Sequence, residues 1–533
     1  MVHRLSCFAV SVAVALLPAM ARAQQHEHGA QPADRLGKVH FETSCAASVK
    51  DSFDRAVALL HSFWYAAAID AFNDIAKKDA SCGMTQWGVA MAVWGNPLGG
   101  TRTPQILARG REAVAQAKKM GAKTAREQDY IAAVDALYAG EGDQLSHARA
   151  YEKAMAAIVA KYPKDTEAMV FYAIALDAAA DPADKTYARQ LQAAKMLEKV
   201  LATQPDHPGV SHYLIHSYDY PPLAAKGLPA AQRYAKIAPD APHALHMPSH
   251  IFTRVGAWQD SIDSNMASAA AAKKANSPAE ELHAMDYQTY AYLQLGRDTD
   301  AMRVQSETEA TLARVEAGSG YNFAAVYAAT AIPARVALER GAWKDAANLK
   351  QRSSSFPHAD AVATFARILG AARTGQAAAA RKDLATLAPV PAALKEKEPY
   401  WSNQVAIQLK AAEGWTLHAE GKTAEGIALL RQAADQEDAS EKSPVTPGPI
   451  APARELLAEL LLEAKQPKEA LIEFEKSMTR EPGRFRSIAG AMRAAQGAGD
   501  TAKTKKYAGE LLTLAKGAAP GRPEITEAQK YAK

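Results

Sequence analysis

Cysteine is scarce in this chain: there are three in 533 residues, Cys7, Cys45 and Cys82. None forms a C-x-x-C pair, which argues against a dithiol redox centre or a zinc-thiolate knuckle. Aromatic residues make up only 7%, and runs of β-branched residues are short, so extended sheet is disfavoured. Charge of one sign is also lacking. The formal net charge is +4, with lysine and arginine scattered, so no nucleic-acid partner and no charged-membrane partner is expected. Beyond the N-terminal segment no apolar run is long enough for a membrane span. Several catalytic signatures are missing too: H-E-x-x-H, G-x-S-x-G, a Walker loop and the dinucleotide glycine fingerprint.

What is present begins with an address. Arg4 precedes an almost wholly apolar run from Leu5 to Ala21, and Ala21-Arg-Ala23 fits a small-x-small cleavage site. Residues 1–23 therefore read as a signal peptide and 24–36 as a flexible mature N-terminus, with periplasmic or secreted localisation. Losing Arg4 and Arg22 lowers the formal charge from +4 to +2. About 500 mature residues exceed one compact core, so several domains or a solenoid are implied. Abundant alanine favours helices throughout. In an oxidising compartment Cys45 and Cys82 are disulfide candidates, because a helical hairpin over about residues 46–78 brings its open ends together. Two separate buried thiols are the alternative.

A helix–helix turn recurs: Gly256-Ala-Trp-Gln-Asp-Ser, Gly296-Arg-Asp-Thr-Asp-Ala, Gly341-Ala-Trp-Lys-Asp-Ala and Gly421-Lys-Thr-Ala-Glu-Gly. Weaker copies start at Gly375, Lys465 and Gly499. Glycine ends one helix by tolerating a left-handed backbone, and a small residue a few places later lets the next helix pack closely. The clearest unit, Ala451 to Pro482, carries Ala470 and Phe474 at its small and aromatic places. These units resemble degenerate tetratricopeptide (TPR) repeats. The expected fold is all-α: an α-solenoid of TPR-like helix-turn-helix repeats forming a superhelix with a concave inner face. It should span 37–440 and resume over 453–533, with a proline-rich loop at 441–452 that cannot be helix.

Against this scaffold four histidines stand out. His212 and His216 form one HxxxH pair, and His246 and His250 form a second, each residue 34 positions after its counterpart. That offset is the length of one TPR unit, so neighbouring repeats at about 208–275 carry the same pair. The i, i+4 spacing puts each pair on one helical face. The TPR resemblance implies that these places line the concave wall. Imidazoles from adjacent helices are then expected to meet at one cation, zinc or copper being the natural choices. His243, Asp219, His283, Asp286 and His61 are additional ligand candidates, and Asp219 is also a candidate general base. His26 and His28 belong with the N-terminal tail.

The segments Leu59-Leu-His-Ser-Phe-Trp-Tyr65, Gln86-Trp-Gly88, His212-Tyr-Leu-Ile-His216, His246-Met-Pro-Ser-His-Ile251 and Val445-Thr-Pro-Gly-Pro449 resemble a group of secreted bacterial TPR proteins. That resemblance implies fold and compartment and carries no reaction. Two functions follow as expectations. One is an exported scaffold that binds a protein, peptide or small ligand on its concave face. The other is a metal-binding protein or metal-dependent enzyme built on the paired HxxxH motifs.

Overall fold

A computed structural model describes residues 35–100, 102–140, 142–318 and 321–531, all within one contact unit, Arg35–Lys533. The signal-peptide segment, His26 and His28 lie outside the described residues. Of the expected N-terminal tail, Arg35 and Leu36 are described: Arg35 pairs with Asp240 and Leu36 is buried.

From Lys50–His61 to Pro523–Tyr531 the chain is a succession of helices, each packed on its sequence neighbours, and no strand occurs among the described residues. This is a TPR-like α-solenoid. The turn residues show why. Gly256, Gly296, Gly341, Gly375, Gly421 and Gly499 all adopt positive φ, and Lys465 takes the same conformation at the weakest copy. Five residues after each turn sits Ser261, Ala301, Ala346, Ala380, Gly426, Ala470 or Thr504, and every one is buried. A larger side chain there would push the second helix off the first. Proline at the first helical position starts many helices, including Pro208–Tyr218 and Pro278–Gln294, where the missing N–H costs no hydrogen bond.

Cys45 and Cys82 are joined as a disulfide across the open end of the first helical hairpin, with Cα atoms 4.9 Å apart. The solenoid curls until distant repeats touch. The Trp258 indole donates to Gly483 O at 2.8 Å, and Arg522 pairs with Asp298. Between the helices Thr423–Asp438 and Ala453–Glu463 the proline-rich segment runs without helix. It crosses onto the histidine-bearing repeats, where Tyr287 donates to Pro444 O at 2.9 Å. Among the described residues no helix is long and apolar enough to cross a membrane.

Candidate metal centre

The two histidine pairs stand where the repeat offset puts them, on first helices of successive units. His212 and His216 lie on Pro208–Tyr218. The helix of His246 and His250 is broken at Met247, because Pro248 has no N–H, into Pro242–His246 and Pro248–Val255. The break does not separate the pair. Ring centroids are 4.9 Å apart for His212–His216 and 5.0 Å for His246–His250.

The four imidazoles do not meet at one point, as a single shared cation would require. They divide into two trios, each completed by a histidine outside the HxxxH pattern. His212, His216 and His243 bring ligand atoms within 4.8 Å of one another, and so do His246, His250 and His283. His243 joins from one turn before His246, and His283 from the next first helix, Pro278–Gln294. The trios adjoin, with ring centroids 6.0 Å apart for both His216–His250 and His243–His246.

Hydrogen bonds on the outer ring nitrogens decide what the inner ones can do. His246 Nδ1 lies 2.6 Å from Asn265 Oδ1, while Asn265 Nδ2 donates to Ser261 O and so fixes the amide's orientation. His250 Nδ1 lies 3.0 Å from Asp219 Oδ2. Both partners are acceptors, so both Nδ1 atoms carry the proton. The two Nε2 atoms then carry no proton and face each other at 3.1 Å, with the Tyr287 hydroxyl 3.5 Å from His250 Nε2. In the other trio His212 Nδ1 donates to His61 O at 2.6 Å, leaving its Nε2 bare 3.1 Å from His216 Nε2. His243 Nε2 and His283 Nδ1 are buried without a hydrogen-bond partner.

Burial, then the neighbouring imidazoles, hold His212, His216 and His246 well below the ordinary imidazole range. Burial likewise pulls His250 down to about 4 and His283 down to about 3. All five are neutral at pH 7 and available as donors. Burial alone would raise Asp219, but Lys442, Arg254 and His250 hold its carboxyl well below the usual range. It accepts from Arg254 Nε at 2.9 Å and Lys442 Nζ at 3.0 Å. Asp219 therefore orients His250 from behind and is not free to act as a ligand or general base.

Two other candidates are engaged elsewhere. Asp286 pairs with Arg335 at 2.8 Å. The His61 ring bridges Tyr213 and Glu167, and Glu167 also holds His207. Only the His61 carbonyl reaches the centre. The expected open concave wall is absent at this place: His212, His246 and His250 are no more than 1% exposed. Phe63 covers the first trio, its ring centroid 4.3 Å from His212 and 5.4 Å from His243. It does so from a left-handed backbone, φ 53°, that a bulky residue rarely adopts. Tyr287 covers the second trio, 4.6 Å from His246, with the proline-rich segment behind it.

Sequence reasoning missed Phe63, Asn265, Arg254, Tyr287, Glu280 and Lys442. Glu280 stands 3.7 Å from His243 Nδ1. Asn265 left one signal, a polar residue on the inward face of its helix. Lys442 left none, since it is 223 residues from Asp219.

No protein-family profile and no curated protein matches this chain. Among solved structures, a human IFIT1 dimer with m7Gppp-AAAA is 12% identical with a TM-score of 0.39, covering 81% of this chain and 90% of that one. The TPR domain of P58(IPK) is 11% identical with a TM-score of 0.23, covering 85% and 99%. Naa15/Naa10 bound to HypK-THB is also 11% identical with a TM-score of 0.23, covering 90% and 72%.

Proposed function

We propose that this TPR-like solenoid is an exported metalloprotein that holds two transition-metal ions side by side. One ion sits on His212, His216 and His243, and the other on His246, His250 and His283. The observation that carries this reading is the pair of bare nitrogens, His246 Nε2 and His250 Nε2, facing each other at 3.1 Å. Two lone pairs repel at that distance unless a cation lies between them. Nitrogens bound at ~2.0–2.1 Å to one tetrahedral zinc stand about 3.3 Å apart, close to the distance seen. Three protein ligands per ion leave a position open for a further ligand. The Cys45–Cys82 disulfide supports the exported compartment. A peptide-binding histidine groove is disfavoured because the imidazoles are covered.

The test is elemental analysis of the exported protein beside a His212→Ala/His246→Ala double variant. Two ions per chain are expected in the wild type and none in the variant. Metal below about one tenth stoichiometry after reconstitution with zinc and copper would sink the reading.

A further inference from the structure

We infer that the metal pair is copper and that it binds dioxygen between the two ions. This deepens the two-metal reading and rests on it.

The donor set is the first observation. All six ligands are imidazoles, and no carboxylate completes either trio. The nearest carboxylate, Asp219, is matched by Arg254 and Lys442. Glu280 stands 3.7 Å from His243 Nδ1 and also faces His283, but neither contact makes it a member of a trio. Burying charge away from water is costly, and the cost grows steeply with the charge on the ion. Two divalent ions would bring four positive charges into this neutral shell, whereas two Cu(I) ions bring two. Imidazole is a good copper donor, and Cu(I) is content with three ligands.

The second observation is that the trios adjoin, across ring contacts of 6.0 Å at His216–His250 and His243–His246. Trios this close would let one small diatomic ligand bridge the two ions. Dioxygen fits the electrostatics because it enters uncharged. Each Cu(I) gives up one electron and becomes Cu(II). Dioxygen takes both electrons, its double bond becomes a single bond, and the product is a doubly negative bridge. No proton is needed. The total charge of metals plus ligand is +2 before and after, so the buried shell never faces an unbalanced charge.

The third observation is an apolar cleft beside Phe63, lined by side chains such as Leu60, Met91, Phe171 and Ile174. An apolar diatomic partitions into such a cleft, whereas hydrated anions do not. A hydrolytic role for the pair is disfavoured because Asp219 is already bonded to three groups.

The test loads metal-free full-length protein anaerobically with Cu(I), or with Zn(II) in a parallel sample, and then admits oxygen. The expected result is two Cu(I) per chain, uptake of one dioxygen per two copper ions, and a new intense absorption. The oxidised pair should be silent in electron paramagnetic resonance. His243→Ala and His283→Ala should each retain one copper, give a visible resonance on chemical oxidation and lose the oxygen-dependent band. Circular dichroism checks their folding, and the wild-type oxygen stoichiometry decides the matter if both variants misfold. Two bound coppers that stay reduced under oxygen would overturn this inference and leave the two-metal reading standing. Stoichiometric zinc without Cu(I) binding would do the same. Failure to bind either metal would overturn both.

Discussion

Two buried polar clusters lie within this solenoid, and they are built on opposite principles. Around Arg484, charge is matched by charge. Arg484 meets Glu339 at 2.6 Å and Glu455 at 2.9 Å and also donates to the Tyr290 hydroxyl, while nearby Arg335 meets Asp286. The histidine cluster has no such complement. The outer nitrogens of His212, His246 and His250 are hydrogen-bonded, their inner ones face a neighbouring imidazole, and His243 Nε2 and His283 Nδ1 stand unpartnered. The first cluster pairs its cations with carboxylates and clamps distant repeats together, although Asp286 Oδ2 and Glu339 Oε2 accept no hydrogen bond. The second would be completed by the metal pair proposed above. Single unpartnered atoms occur in both clusters, and what sets the histidine cluster apart is the convergence of imidazole nitrogens within 4.8 Å of one another.

The comparison can be broken most forcefully at Arg484. Arg484→Met strands the buried Glu339 carboxylate, leaves Glu455 with Ser487 and a more distant Arg486, and should cost about 4 kcal/mol, read as a lower denaturant midpoint. An unchanged midpoint would mean that the network is not the clamp described. Next in size, Cys45→Ser opens a loop closed across 37 residues and should cost about 3 kcal/mol, equally with and without metal.

The third prediction concerns acid. His250 and His283 are held at about 4 and about 3 in the folded protein, below their unfolded value. Below pH 6.5 the unfolded chain gains protons that the folded one refuses, so metal-free protein loses stability as pH falls. Between pH 6.5 and 5.5 these two groups should cost about 2 kcal/mol together. The loss continues until the folded pKa values are reached. A thermal melt series in chelator that stays flat over this window would contradict the buried neutral assignment. The smallest effect sharpens the contrast: Asn265→Ala frees the His246 tautomer and should weaken metal binding at the second trio at least about tenfold, or ~1.4 kcal/mol. Binding at the first trio should be unaffected, as read by titration calorimetry.

Much of the scaffold was legible in the residues. The turn beginning Gly256, Gly296 or Gly341 is a local signal, since a left-handed residue followed five places later by a small one is enough to specify a tight hairpin. Even Lys465, without glycine, was readable from its neighbours. The histidine pairs were legible for the same reason: i, i+4 geometry and a 34-residue repeat are properties of the chain alone. Their division into two trios was not. His243 and His283 belong to no HxxxH pattern, and Asp286, which looked equivalent to Asp219, turned out to face Arg335.

The sequence by itself determined helix, repeat period, turn chemistry and the shared helical face of each histidine pair, because each follows from spacing along the chain. Only the tertiary structure decided which nitrogens are bare, through Asn265, Asp219 and the His61 carbonyl. It also decided that Phe63 and the segment around Pro444 close the wall expected to be open. Those partners arrive from repeats up to more than two hundred residues away, brought in by the curl of the superhelix, and no local pattern encodes that curvature.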